Sequence, residues 1–379
     1  MATVRDALIV AGGAGTRLRP LTATTPKPLL PFCGQPFLAG VLHRLAGVGV
    51  DHVRLVVGAD PTPFEVLRPY ADALGLQVTA VPEPRPLDTA GGVREVLDDL
   101  RGTTLVLNGD ILTDVDLAGL LVAHAAAGAA ATLTLTRVED TSAFGVCVRD
   151  GRRIVDFVEK PAPGTLPGQD AVNAGTYVLE PAALERFPRG PLSFERDVFP
   201  GLVAAGAHVE GYVSDAVWAD IGTPDRFLDG HRRALDGDLT WPSLARLGPA
   251  EEGVWRASDV EVAAEAQVRG PVMLDAGVRV DAGAVVGPYA VLGAGARVAA
   301  GARVTDTVAF AGVSIGAQAS VTGGLLGRDV RVGAGARLRV GTVLGERSVV
   351  ADGVQGPAGL RLDPGVVEPA DAGGPEERA

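Results

Sequence analysis

The sequence predicts an α/β domain with a mostly parallel sheet, followed by a hexapeptide-repeat parallel β-helix, and three observations carry that expectation. Short β-branched runs alternate with helical patterns up to about residue 235, the signature of βαβ units. Beyond it, large aliphatics recur at every sixth residue: Val280, Val286, Leu292, Val298 and Val304, with the phase resuming at Leu326, Val332, Leu338, Leu344 and Val350. The composition agrees, since 51 glycines against 4% aromatics fit a chain built partly from tight turns and small aliphatic side chains.

In the first region the candidate strands are Ala7 to Ala11, His52 to Val57, Gln77 to Val81, Thr104 to Leu107 and Thr132 to Arg137. Helical patterns lie at Phe37 to Ala46, Phe64 to Leu74 and Thr89 to Leu100, and later strands at Ile154 to Glu159 and Asn173 to Leu179 are expected to form an added layer. Residues 236–256 lose periodicity and carry Gly237, Pro242, Pro249 and Gly253, so they read as a linker. Each six-residue rung after it buries one aliphatic, and only stacking makes those aliphatics a continuous core. A Gly/Ala linker has no reason to hold large aliphatics in register. The organisation is therefore a domain over 1–235, a linker over 236–256, a β-helix over 257–352 and a tail over 353–379 whose polar end is expected to be unstructured.

Thirty-four Lys and Arg against 46 Asp and Glu give a net charge of −12, a field that repels nucleic acid. Two cysteines, Cys33 and Cys147, make neither a disulfide framework nor a thiolate zinc site, and a reducing cytoplasm fits them best. No stretch has the length and apolarity of a membrane segment.

Four places have the residue types for chemistry. The first strand runs into Ala11, Gly12, Gly13, Ala14, Gly15, Thr16 and Arg17, where glycines let backbone N–H groups approach an anion. It lacks both the glycine spacing of a dinucleotide fingerprint and the Lys-Ser/Thr of a P-loop. Alone it is equally a structural turn. Lys27, held between Pro26 and Pro28, aims an ammonium with little backbone freedom. Asp110 follows the apolar run Thr104 to Leu107, placing a carboxylate at the strand edge where open α/β sheets bind ligands, and Asp220 sits among apolar neighbours in Trp218 to Pro224. Two carboxylates without a His cluster favour Mg²⁺ over zinc, although Asp220 also suits a helix cap. Finally, Glu159 and Lys160 end a strand and point to opposite faces, so they do not pair with each other; Lys160 can meet a phosphate and Glu159 sugar hydroxyls, although exposed charges at a strand end are commonplace.

Taken together, GGAGTRLRPLT (Gly12 to Thr22), PKPLL (Pro26 to Leu30), NGD (Asn108 to Asp110), FVEKP (Phe157 to Pro161), NAGTYVL (Asn173 to Leu179), SFERDVFP (Ser193 to Pro200) and WADIGTP (Trp218 to Pro224) resemble the sugar-1-phosphate nucleotidyltransferases. The resemblance is strongest to mannose-1-phosphate guanylyltransferases with a left-handed β-helix tail, and it spans nearly the whole chain. It implies a Rossmann-like catalytic domain that joins an NTP to a sugar 1-phosphate and releases pyrophosphate. It further implies that Ala11, Gly12, Gly13, Gly15, Thr16 and Arg17 hold the triphosphate, and that Asp110 and Asp220 hold Mg²⁺. Lys27 and Lys160 would meet the reacting phosphates, while Gly145, Glu159, Lys160 and Asn173 meet the sugar.

The loop over Leu87, Asp88, Thr89, Ala90 and Gly91 departs from the family pattern, because Asp88 stands where relatives read glycine. Similar Leu-acid-Thr patterns occur in transferases that use UTP on amino or muramic sugars. Glu83, where the family reads the base, favours GTP instead, since a carboxylate accepts from both N1–H and N2–H₂ of guanine, although a solvated charge between Pro82 and Pro84 is the competing reading. Transferases using UTP, dTTP or ATP on glucose, amino-sugar, muramic-sugar or heptose phosphates stay open at this point, as does a non-catalytic subunit that binds nucleotide sugars. Acyl transfer by the β-helix is disfavoured, because the last histidine, His231, precedes the repeats. The flat faces of the β-helix suggest a homo-oligomer.

Overall fold

A computed structural model describes residues 4–138, 140–142, 144–162 and 170–369. The chain forms two compact units, Met1–Gly13 with Val41–Asp220 and Ala14–Gly40 with Ile221–Ala379.

The first unit is built on a nine-stranded sheet. Its strand order is Gln77–Pro82, His52–Val57, Asp6–Val10, Thr104–Asn108, Ala171–Leu179, Ala131–Arg137, Val209–Val213, Arg153–Glu159 and Gly145–Asp150. The first four are mutually parallel, and their central members are apolar on both faces: Ala7, Leu8, Ile9, Leu105 and Val106 are fully buried. The other half is mixed rather than parallel, because Gly145–Asp150 and Arg153–Glu159 are joined by two residues, a connection only an antiparallel pair allows. The expected added layer is a correction. Ala171–Leu179 lies inside the sheet, between Thr104–Asn108 and Ala131–Arg137, because a run buried along almost its whole length must be covered on both sides. The expected helix Phe64 to Leu74 divides into a 3-10 turn, Thr62–Leu67, and an α-helix, Arg68–Leu74, where Pro69 can start a helix but not continue one.

In the second unit, helix Pro224–Asp236 starts from a cap in which the Thr223 side chain accepts from the Arg226 N–H, and ends at Gly237. Residues 236–256, read from sequence as a linker, contain the helix Pro242–Ala245 and the buried Leu239, Trp241 and Leu244. The Trp241 ring stacks on Phe37 at 5.2 Å and meets Phe32 edge-on at 5.4 Å. From Val254 onward the chain visits three parallel sheets in rotation, an arrangement consistent with a β-helix. Strand partners such as Arg279 and Arg297 stand eighteen residues apart, three hexads per circuit. Two circuits are shorter by one residue, since the core steps Val304 to Ala309 and Val321 to Leu326 are five residues long. That shortening accounts for the interruption of the sequence period between Val304 and Leu326. Strands continue beyond residue 352, through Arg361–Leu362 to Val367–Glu368, while 370–379 lie outside the described residues.

Candidate active site

In the first unit, the strand Asp6–Val10 delivers Ala11, whose N–H donates to the Val56 carbonyl at 2.7 Å, and then the exposed Gly12 and Gly13. Glu83 lies beside this turn. Its Oε2 is 3.3 Å from where a Cβ on Gly12 would stand, and a Cβ on Gly92 would overlap its Oε1. Oε1 is buried and has no hydrogen-bond partner among the described residues. Burial raises the Glu83 pKa, as does the Asp88 charge, against a lowering by a hydrogen bond from the Leu87 backbone. The carboxylate borders an open cleft of about 490 Å³, also lined by Arg85, Leu87, Gly92, Glu95 and Arg189.

Asp88 adopts φ 64°, in the left-handed region that glycine enters freely. Its side chain offsets that conformation, as Oδ1 accepts from the Thr89 N–H at 2.8 Å and the carboxylate pairs with Arg196. Thr89 is fixed in turn: its hydroxyl donates to Glu195 Oε2 at 2.8 Å and accepts from the Phe194 N–H at 2.9 Å. Ser193 Oγ donates to the same Glu195 oxygen at 3.0 Å. Glu195 was legible only as part of SFERDVFP, with no role attached.

Asp110 and Asp220 are brought together by backbone pairing. Gly109 donates to the Val10 carbonyl at 2.8 Å, and a Cβ there would lie 2.9 Å from that oxygen, so only glycine lets the turn approach the first strand so closely. The next strand, Ile111–Thr113, pairs antiparallel with Trp218–Asp220 and sets Asp220 opposite Ile111, the neighbour of Asp110. Arg44, which motif reading did not find, fastens this ribbon by donating from Nη1 to the Thr113 carbonyl at 2.6 Å and from Nη2 to that of Val115. Among the described residues no group of three or more His, Cys, Asp or Glu is placed to hold a metal. Two carboxylates without nitrogen or sulfur donors suit a hard divalent cation that takes its remaining ligands from phosphate oxygens and water.

In the same unit, Lys160 has φ 47° and donates its N–H to the Phe144 carbonyl at 3.0 Å, while Gly145 pairs with Glu159 across the hairpin. The Glu159 side chain lies outside the described residues. The Phe144 ring is edge-on to Trp218 at 5.4 Å, and the Trp218 indole donates to the Ala174 carbonyl at 2.9 Å. Asn173 Nδ2 donates to the Tyr177 hydroxyl at 2.8 Å, and its Oδ1 accepts from the Gly175 N–H at 3.0 Å. Tyr177 is fully buried, and burial pushes its phenol pKa up, so it remains a neutral hydrogen-bonding group.

In the second unit, Thr16 and Arg17 form the 3-10 turn Thr16–Leu18, both exposed. Thr22 Oγ1 donates to the Gly15 carbonyl at 2.8 Å. Lys27, only 6% exposed at the start of the turn Lys27–Leu29, has its Cβ 3.0 Å from where a Gly15 Cβ would stand. The fold thus brings Lys27 to Gly15 from twelve residues along the chain.

Comparison with known proteins follows this division of the chain. The family model "Nucleotidyl transferase" matches residues 6–237, and "GMPPB C-terminal domain" matches 268–355. The mannose-1-phosphate guanylyltransferase of Mycobacterium tuberculosis is 44% identical over 243 residues, 63% of this chain and 67% of that protein. A probable mannose-1-phosphate guanylyltransferase 2 of Arabidopsis thaliana is 31% identical over 366 residues, 94% of this chain and 95% of that protein. Among solved structures, HddC from Yersinia pseudotuberculosis matches with TM-score 0.51 and 26% identity over 60% of this chain and 98% of that one. The same protein complexed with GMP-PN matches with TM-score 0.50, again at 26% identity over 60% and 98%. With the family model covering more than half of its length, the chain belongs to the nucleotidyl transferase family.

Proposed function

We propose that the chain transfers the guanylyl group of GTP to mannose 1-phosphate, forming GDP-mannose and pyrophosphate. The observation that carries the base assignment is the Glu83 carboxylate, whose Oε2 stands beside Gly12 and whose buried Oε1, beside Gly92, has no hydrogen-bond partner among the described residues. Guanine offers adjacent N1–H and N2–H₂ donors that fit a carboxylate, whereas thymine and uracil turn a carbonyl acceptor toward one of its oxygens. The names of the relatives support the same base and the same sugar.

In this reading a phosphate oxygen of the sugar phosphate attacks the α-phosphorus of GTP. The new P–O bond forms as the bond to the bridging oxygen breaks, and pyrophosphate leaves with that electron pair. The attacking oxygen is already ionised at neutral pH, so no general base or covalent intermediate is required. The chain supplies alignment and charge. Ala11, Gly12, Gly13, Gly15, Thr16 and Arg17 hold the triphosphate, and Asp88 and Thr89 shape the loop below the nucleoside. Lys27 and Lys160 neutralise the reacting phosphates, while Gly145, Glu159 and Asn173 bind the sugar. Enzymes of this family use a divalent metal. We assign Mg²⁺ to Asp110 and Asp220, which would hold it through their carboxylates, and its charge would offset that of the phosphates.

We further read the three stacked C-terminal sheets as a left-handed β-helix that organises a homo-oligomer, and the cytoplasm as the place of action. No helix among the described residues is long and apolar enough to cross a membrane, and both cysteines are buried and unpaired. The test is pyrophosphate release from GTP, ATP, UTP and dTTP, each with mannose, glucose, N-acetylglucosamine and heptose 1-phosphates. GTP with mannose 1-phosphate should give the highest kcat/KM, and a higher value for any other pair overturns the assignment.

A further inference from the structure

The segment 14–40 contains Gly15, Arg17 and Lys27 but little regular structure beyond three 3-10 turns and a two-residue hairpin before Phe37. A segment that short of internal hydrogen bonding owes its shape to what it leans on. Within its unit it leans on the C-terminal rungs at two separate places. Near its end, Gly34 has φ 83°. A Cβ there would overlap the Asp275 carboxylate and stand 2.7 Å from Met273 Cε and 2.8 Å from Arg246 Nη2, with Arg246 and Asp275 themselves paired at 2.7 Å. Near its start, Arg361 Nη1 donates to the Arg19 carbonyl at 2.6 Å across 342 residues of sequence.

Arg361 is well placed for that contact. The strand Arg361–Leu362 belongs to the same seven-stranded sheet as Val272–Leu274, and Leu362, 5% exposed, fixes it to the core. Alternation along the strand then sends the guanidinium outward. The early rung grips the segment at Gly34 and the late rung at Arg19, so the stack spans the segment as a jig. The contact also brings a permanent positive charge to the backbone two residues past Arg17.

We infer that Arg361 is a positioning residue for nucleotide binding, holding the Arg17–Thr22 stretch in the shape that receives the triphosphate. This rests on the proposed assignment of that stretch to the triphosphate, and the test separates the two. Arg361→Ala and Arg361→Lys are compared with the unaltered full chain by amide hydrogen exchange and by steady-state kinetics. In Arg361→Ala, amides between Arg17 and Thr22 should exchange about tenfold faster, the order expected for one charge-assisted hydrogen bond, while the central strands of the nine-stranded sheet stay unchanged. The KM for GTP should rise about tenfold with the KM for mannose 1-phosphate within about twofold, and Arg361→Lys should recover most of both effects. Unchanged exchange in that stretch overturns the inference, as do equal rises in both KM values or a fall in Tm that accounts for the loss. If the unaltered chain does not turn over GTP, the exchange result alone decides the role of Arg361, and the substrate assignment fails separately.

Discussion

Replacing Glu83 by Gln tests the base assignment through two effects of opposite sign. The carboxylate offers two acceptor oxygens, and Oε1 has no partner among the described residues. Gln keeps the size but presents one acceptor and one NH₂, so one hydrogen bond to guanine is lost and a donor faces a donor. A mismatch of this kind costs about 1–3 kcal/mol, which lowers kcat/KM for GTP about 5- to 150-fold. Stability should move the other way. Burial raises the Glu83 pKa above its ordinary 4.5, so between that pH and the raised value the folded chain holds the proton more tightly than the unfolded one. Stability from this group therefore falls as pH rises through that window, a cost that Gln, which does not titrate, removes. Urea midpoints at pH 7.5 should be equal to or above those of the unaltered chain, while kcat/KM for GTP drops and discrimination against UTP and ATP shrinks. An unchanged kcat/KM for GTP, or equal losses with all nucleotides, refutes the reasoning.

Asp110→Asn should lower kcat by about two orders of magnitude or more with little change in Tm, since it removes a charge from the proposed metal pair and leaves the Gly109 turn intact; titration with Mg²⁺ up to saturation checks this, and near-normal turnover there removes Asp110 from the mechanism. His231 is fully buried, accepting from the Cys33 N–H at 3.2 Å through Nε2 and reaching the Phe227 carbonyl at 2.8 Å through Nδ1. Burial lowers its pKa from 6.5 to about 4, so the stability it supports is complete above pH 6.5 and drains away as pH falls toward about 4, amounting to about 3 kcal/mol. Urea titrations at pH 7 and pH 5 should show about 2 kcal/mol of that loss in the unaltered chain, since pH 5 lies partway through the window, and a smaller change in His231→Phe. Trp241→Ala should cost about 3–5 kcal/mol by removing a fully buried ring, read as a shift in urea midpoint. Arg44→Ala should reduce kcat more than it raises either KM, because it unfastens the ribbon that aligns Asp110 with Asp220.

Much of the architecture was legible because each rule acted on local sequence. The helix Phe37–Ala46 and the strand His52–Val57 have the expected ends, and the hexads continue as stacked rungs because one buried aliphatic per six residues has no other way to leave water. The rungs past Val350 were missed for a physical reason: the next position in phase is Gly356, which offers no aliphatic to detect, and Leu362 resumes the pattern one hexad later. The strand Gly145–Asp150 also escaped notice, since Arg149 and Asp150 blunt its apolar pattern.

Motif reading singled out the glycine turn, Lys27 and the two aspartates as candidates. It could not see that Asp110 and Asp220 are neighbours, because that depends on the pairing of Ile111–Thr113 with Trp218–Asp220, more than a hundred residues apart. Nor could it find Arg44 or Arg361, whose parts are played by guanidinium groups donating to distant backbone carbonyls, contacts without a sequence signature. Asp88 is the instructive case. Its place in a glycine position looks disruptive in sequence, yet the side chain holds the Thr89 amide and Arg196 and so sustains the left-handed turn itself.

The most direct measurement is product analysis of one reaction, with GTP, mannose 1-phosphate and Mg²⁺ supplied together and GDP-mannose and pyrophosphate quantified over time. The account predicts equimolar formation of the two, abolished by chelation and reduced at least a hundredfold in both Asp110→Asn and Asp220→Asn, as expected if both carboxylates hold the metal. GDP-mannose formed at an undiminished rate by either variant, or no GDP-mannose from the unaltered chain, contradicts it.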